Sequence, residues 1–449
     1  MKKKYDVVIV GAGFTGLTAA LEISKAGLKV CVLESEAEPG GLAGTFDFKN
    51  GARIEKFYHH WFTNDLYVPG LIKELGLEEN VLYLPSKTGM FFNNQFWKLS
   101  TPMDLLKFRA LSFIDRIRLG LLVFQARLIR NWKKIEHLSI REWLEPICGK
   151  NVYKVVWEPL INAKFSSHAE DITAVWFWKK LVLRGGTRNK KGQEQLAYFR
   201  GGFSKLSYAM VDAIKTLGGE VIFNSPVLYA VTNDNLVTGL QTARGLVSGS
   251  QVLLTPAFSL IADIFSKSNS CLENNVWLND LRKVKYLGNA CLVLQLKHSL
   301  SGIYWLNVND PGFPFVGVIE HTNLDDQSNY QGSHIVYLSR YMAADDTTWK
   351  YDDQAYFEYA IPYLKKMFPE FRIDWVIDYK VWRTRYAQAV TERKYSEYVP
   401  SETTPYRNAF ITTMAQIYPE DRGTNYAIRE GRKISEKIIK SLLNNKITP

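Results

Sequence analysis

Gly11, Gly13 and Gly16 follow directly on residues 5–10, a short apolar and largely β-branched run, and seventeen residues separate Gly16 from Glu34. A run of this kind reads as a buried parallel strand. Each glycine then has a mechanical use. Gly11 permits a tight turn out of the strand, Gly13 lets a pyrophosphate approach bare backbone, and Gly16 lets the following helix pack closely on the sheet. That helix, read over 17–26 and ended by Gly27, offers unpaired N–H groups and a partial positive charge to phosphates. Phe14 and Thr15 belong to the same turn. Glu34 closes a second strand at 29–33, beside Ser35, and can accept hydrogen bonds from both ribose hydroxyls while disfavouring a 2′-phosphate. The order of strand, glycines, helix, strand and acid predicts a dinucleotide site.

A second glycine-rich loop, Glu38-Pro39-Gly40-Gly41-Leu42-Ala43-Gly44-Thr45, comes a few residues later. It resembles the double-glycine motif of the flavin amine oxidase superfamily, which includes monoamine oxidases, phytoene desaturases and protoporphyrinogen oxidases. The resemblance implies FAD rather than NAD, with Gly40, Gly41 and Leu42 along its ribityl-pyrophosphate arm. It also implies a backbone group near Val227 at adenine, and Gly423 and Asn425 near the flavin at the start of the last helix. The implied reaction moves hydride from a C–H or C–N bond of a bulky, lipid-like or anionic small molecule to flavin N5. The cofactor carries that chemistry, so no protein nucleophile is required. Leu42 stands where amine oxidases usually carry arginine, which brings the resemblance nearer the desaturases and protoporphyrinogen oxidases. The loop 416–425 also departs from the amine oxidase pattern, and no aromatic cage for an amine is assigned.

The stretch 54–65 resembles the part of UDP-galactopyranose mutases that sets a histidine beside the flavin. On that resemblance His60 takes the flavin-facing place. Neighbouring side chains on a strand point to opposite faces, so His59 would turn away, and the two make a poor metal pair; no metal is expected. The same stretch supports a non-redox alternative, in which reduced flavin acts as a nucleophile on a nucleotide sugar. Arg383 or Arg385 could bind a phosphate or carboxylate of the substrate bidentately, and Tyr418 flanks the loop expected near the flavin. The catalytic candidates are therefore His60, Arg385 and Tyr418.

These groups need a frame. At 449 residues the chain exceeds what one hydrophobic core usually serves. The expected fold is α/β: a discontinuous FAD/NAD(P)-binding Rossmann-like domain over 1–95, 200–260 and 400–449. A mixed α+β substrate domain arises from two insertions, helical over 96–199 and β-rich over 261–399. Strands are predicted at 283–297, 302–308, 313–320 and 334–341, with a helix at 353–367. Towards the end, 409–414 reads as a strand and 426–443 as the last helix.

The net charge of +11 favours an anionic partner. Between 101 and 134 the basic residues Lys107, Arg109, Arg116, Arg118, Arg127, Arg130, Lys133 and Lys134 face only Asp104 and Asp115, with 119–124 apolar between them. Such a helix suits a membrane surface, apolar side down. Nucleic acid is not expected, since no recognition motif accompanies the charge. Cys31, Cys148, Cys271 and Cys291 form no CxxC pair and read as free thiols of a reducing compartment. The N-terminal glycines argue against a signal peptide, and no apolar run is long enough to span a bilayer. The expected location is cytoplasmic, at the inner face of a membrane.

Overall fold

The computed structural model describes residues 4–99, 101–184, 194–268 and 276–447. β1 (Lys4–Val10) and β2 (Val30–Leu33) run parallel, side by side. All of β2 and the 7–10 half of β1 are buried. A strand covered on both faces has no polar face to keep, which is why apolar residues succeed one another without alternation. Glu220–Ile222 adds to β2, Gly245–Leu254 adds to β1, and Ala409–Ile411 adds to Gly245–Leu254, all in parallel. Segments far apart in sequence thus share one sheet. The first half of Gly245–Leu254 continues into an antiparallel meander with Leu236–Thr242 and Val227–Asn233.

α1 (Phe14–Lys25) packs against the final helix Thr424–Ile447. A side chain at Gly431 would come within 2.7 Å of the Thr15 carbonyl oxygen, so the two helices meet backbone to backbone. The expected strand at 409–414 ends at Ile411, and the last helix starts at Thr424, ahead of the predicted 426.

A second sheet has the order Val376–Ala389, Tyr286–Leu296, His334–Met342, Gly317–Glu320, Trp305–Val308, Thr88–Phe92, Gln95–Lys98. The hairpin Thr88–Phe92/Gln95–Lys98 belongs to this sheet through Trp305–Val308, so the chain passes to it before residue 95. Helix Asp353–Met367 lies where the sequence predicts it and buries Tyr356, Ala360 and Leu364 against this sheet.

α2 (Tyr67–Glu74) packs on the final helix. A helical segment follows, with α3 (Pro102–Lys107), α4 (Phe113–Leu128) and the helices Ile140–Cys148, Glu158–Phe165 and Ala174–Arg184, and it meets the second sheet through Glu158–Phe165. Ser112 caps α4 by accepting the Asp115 N–H at 3.2 Å, and Thr101 with Asp104 forms a capping box on α3. Cys31, Cys148 and Cys291 are buried and in no disulfide among the described residues, and Cys271 lies outside the described residues.

Candidate active site

The dinucleotide end is built from loop backbone. A side chain at Gly16 would sit 2.0 Å from the Gly11 carbonyl oxygen, so only glycine allows this turn. Gly40, at φ +120°, donates its N–H to the Ala12 carbonyl at 2.9 Å, which locks the second glycine loop onto the first. No side chain caps α1 at Gly13. Gly11, Gly13 and Thr15 are half-exposed, whereas Ala12, Phe14 and Gly16 between them are buried. A bare helix N-terminus beside open glycine backbone fits a diphosphate.

Glu34 is more occupied than its sequence suggests. Its carboxylate accepts from the Ala12 N–H at 2.6 Å, the Glu36 N–H at 2.9 Å and the Ser35 hydroxyl at 3.0 Å. A carboxylate offers about four acceptor sites, so room remains for about one ribose hydroxyl rather than two. The Asn224 and Ser225 N–H groups bond the carbonyls of Glu36 and Glu34, which brings half-buried Val227 up to this acid.

A cavity of about 890 Å³ opens where the two sheets and the helical segment meet. Leu42 and Gly423–Asn425 edge it on the side of the dinucleotide fold, and Leu119, Gly120 and Val123 of α4 edge it on the other. Val156, Leu160, Ile161, Phe177 and Leu181 make much of the wall between. The second sheet contributes Asn289, Trp305 and Tyr341. Asn289 donates to the Ser339 hydroxyl at 3.1 Å, while its buried carboxamide oxygen has no partner among the described residues.

His60 stands on this wall, with Nδ1 2.9 Å from the Tyr304 hydroxyl and its ring edge-to-face with Phe62 and Trp305. The expectation that His59 turns away does not hold: His59 lines the same cavity, with Nδ1 2.6 Å from the Phe57 carbonyl oxygen. Residues 57–60 are irregular, so strand alternation does not apply to them. Burial lowers His59 to about 4, against the pull of the Phe57 carbonyl and with help from Arg422, so it is neutral near pH 7.

Arg385, expected at the substrate, does not line the cavity. Val376–Ala389 is a strand, and its alternation turns Thr384 to the cavity and Arg385 outwards, exposed and stacked over Trp349 at 4.7 Å. Arg383 shares that outer face and pairs with Asp353 at 3.1 Å. Tyr418 is also misplaced by the sequence reading. It packs edge-on against Trp132, with ring centroids 5.2 Å apart, and against Tyr395, and does not line the cavity. Asn425 edges the cavity but has a structural task, its side-chain oxygen accepting the Tyr67 and Val68 N–H groups at 2.8 and 3.2 Å at the start of α2.

The sequence reading passed over a cluster of charge. Lys164, Lys180, Asp421 and Arg422 all line the cavity. Asp421 accepts from Lys180 at 2.6 Å and from the Trp176 indole N–H at 3.0 Å. Burial opposes its ionisation, yet Lys180, Lys164 and Arg422 hold it well below the usual carboxylate range. Arg422 donates to the Gln388 side-chain oxygen at 3.1 Å and to the Tyr341 hydroxyl at 3.0 Å. One signal was present in the sequence, namely adjacent opposite charges next to Gly423. The partners come from distant elements, so spacing alone could not disclose them.

The family of flavin containing amine oxidoreductases matches the chain over residues 14–439. Flavin-containing amine oxidase B of Rattus norvegicus is 26% identical over 254 residues, which cover 53% of this chain and 47% of that protein. The 15-cis-phytoene desaturase, chloroplastic/chromoplastic, of Glycine max is 25% identical over 251 residues, covering 52% of this chain and 44% of that one. The matched region thus spans about half the length of these relatives. Among solved structures, an oxidoreductase from Methanosarcina mazei superposes with a TM-score of 0.75 at 18% identity, over 97% of this chain and 100% of its own. Reduced UDP-galactopyranose mutase superposes with a TM-score of 0.76 at 14% identity, over 97% of this chain and 96% of its own. At such identities the likeness is one of fold.

Proposed function

The chain belongs to the family of flavin containing amine oxidoreductases, and from that premise we propose that it is an FAD-dependent oxidoreductase acting on a bulky, largely apolar substrate. The carrying observation is the cavity of about 890 Å³, which runs from Leu42 and Gly423 to the apolar inner side of α4. That volume lies in the range of small-molecule sites.

FAD would be held by groups already in position. Gly11, Gly13, Phe14, Thr15 and Gly16 would take the diphosphate, Glu34 and Ser35 the ribose, Val227 the adenine, and Gly40, Gly41 and Leu42 the ribityl arm. When bound, FAD supplies the hydride acceptor. The chain's own work is to orient the substrate and exclude water. Leu160, Ile161 and Phe177 supply the dry wall, His60 and Asn289 supply polar contacts, and neutral His59 adds no charge.

The test is flavin content followed by anaerobic reduction. The purified protein should carry or take up FAD, and an apolar substrate should bleach it. A protein that stays colourless and ignores added FAD overturns the reading. His60 on the cavity wall favours the rival, a non-redox reaction on a nucleotide sugar. Conversion of UDP-galactopyranose by the reduced protein would select that rival, and absence of product removes it.

We infer in addition that α3 and α4 rest on an anionic membrane. Phe113, Ile114, Ile117, Leu121, Phe124 and Leu128 recur at helical spacing on α4 and are 45–64% exposed. Leu119, Leu122 and Ala126 on the other side are buried. Arg118 and Arg127 flank the exposed stripe on the same helix, Arg109 and Arg130 stand in sequence just outside its two ends, and all four are exposed. Among the described residues no helix is long and apolar enough to cross a membrane, so contact would be at the surface. Co-sedimentation with phosphatidylglycerol vesicles, and not with phosphatidylcholine vesicles, is the expected result. Equal absence from both overturns it.

A further inference from the structure

We propose that the cavity contains an oxyanion site, in which Arg422, Lys164 and Lys180 hold a carboxylate or phosphate group of the substrate. This deepens, and rests on, the reading of the cavity as the substrate chamber. The substrate class it names is an anionic amphiphile, with its charged head at this cluster and its apolar body along the helices towards α4.

The charges do not balance. Lys164, Lys180 and Arg422 line one stretch of wall with Asp421 among them, and the cavity's other carboxylate, Asp65, accepts the Phe62 N–H at 3.0 Å. Lys180 takes Asp421 at 2.6 Å. The hydrogen bonds of Arg422 go to neutral groups, the Gln388 side-chain oxygen and the Tyr341 hydroxyl. Its Nη1 has no partner among the described residues, although a guanidinium carries five N–H donors. Lys164 makes no ion pair among the described residues, and its ammonium lies over the rings of Trp176 and Tyr341 at 4.6 and 4.9 Å. Unneutralised charges in a poorly solvated chamber are costly unless a ligand completes them. Burial lowers Lys164 to about 7, Asp421 resisting the shift and Arg422 adding to it, so an arriving anion would stabilise its charged form.

The chemistry selects the ligand. A group of cations with one carboxylate repels metal ions and amines. A planar guanidinium with free N–H groups matches a carboxylate or phosphate. The direction of the apolar part follows from the same helices. Leu160 and Ile161 share helix Glu158–Phe165 with Lys164, and Phe177 and Leu181 share helix Ala174–Arg184 with Lys180, all on the cavity wall.

Calorimetric titration of the FAD-loaded protein with decanoate, decyl phosphate and 1-decanol tests this. The three share a chain and differ in the head. At least one anion should bind about tenfold or more tightly than the alcohol, and the tighter of the two identifies the head group. Lys164→Met and Arg422→Met should each remove most of that preference while leaving decanol binding in place, which also reports that the variant is folded. Should Arg422→Met not fold, Lys164→Met carries the test alone. Equal binding of alcohol and anions, or full preference in the folded variants, overturns the proposal. The same titration on protein without FAD separates the two readings. A preference that persists in a chain unable to bind flavin keeps the oxyanion site and removes the oxidoreductase; a flavoprotein without the preference does the reverse.

Discussion

The glycine-rich end of the cavity and its cationic end are assembled in opposite ways. At the first, the turn groups lie within residues 11–44 and act through backbone: Gly16 against the Gly11 carbonyl, and Gly40 bonded to Ala12. At the second, Lys164, Lys180, Tyr341 and Arg422 come from four separate elements and act through side chains. A backbone cradle is fixed by short-range sterics, so one added methyl group disturbs it. A side-chain cluster depends on how sheets and helices dock, so substitutions there change selectivity before they change folding.

That contrast can be broken at either end, and the largest effect is expected at the glycines. Gly16→Val should abolish FAD retention, because its Cβ would begin 2.0 Å from a carbonyl oxygen. Flavin-to-protein ratio and thermal unfolding measure this; a folded variant with full flavin would show that the cradle is not steric. Next comes Arg422→Met, expected to cost roughly 1.5–3 kcal/mol of decanoate binding, the usual range for a charge-assisted hydrogen bond. Calorimetry reads that loss directly. Smaller again is the outer face of α4. Phe124→Asp should weaken binding to phosphatidylglycerol vesicles by about tenfold, from the lost burial of one aromatic side chain, with flavin content unchanged.

A pH effect of a few-fold should follow from Lys164, which is surrounded by Trp176, Lys180, Tyr341, Asp421 and Arg422. Its folded value is about 7, below the ordinary 10.5 of lysine. Decanoate affinity should therefore fall as pH rises through about 7, and Lys164→Met should flatten that limb. The sign for stability is the reverse. Between about 7 and 10.5 the unfolded chain holds a proton that the folded one has lost. This group's contribution to stability therefore rises with pH across that window. The smallest effect is expected at Arg385→Ala, which should leave decanoate affinity within about twofold, since its exposed side chain lies on the outer face of its strand. A larger loss there would bring the second sheet's outer face into the site.

Parts of this molecule could be read directly from residue order. Helix Asp353–Met367 announces itself because its burial follows the helical period, and the β1–α1–β2 unit because an unbroken apolar strand runs directly into its glycines. Val376–Ala389 was harder. It mixes charged, polar and apolar residues as the edge strand of its sheet, with one face open, so no simple alternation marks it. The places of Tyr418 and Arg385 along the chain put them near the cofactor, but position does not say which way a side chain turns. His59 misled for a related reason, since the strand assumed at 57–60 is irregular backbone.

The amino-acid order by itself determined the dinucleotide cradle, the succession of elements and the family resemblance, because each rests on contacts within a few residues or on a repeating period. Only the tertiary structure decided which cations share a chamber, that Asn425 anchors α2, and that the basic helix carries one face to the cavity and another to solvent. Those outcomes depend on docking between elements hundreds of residues apart. Burial and the balance of charge are properties of that docked arrangement, and no stretch of the chain carries them alone.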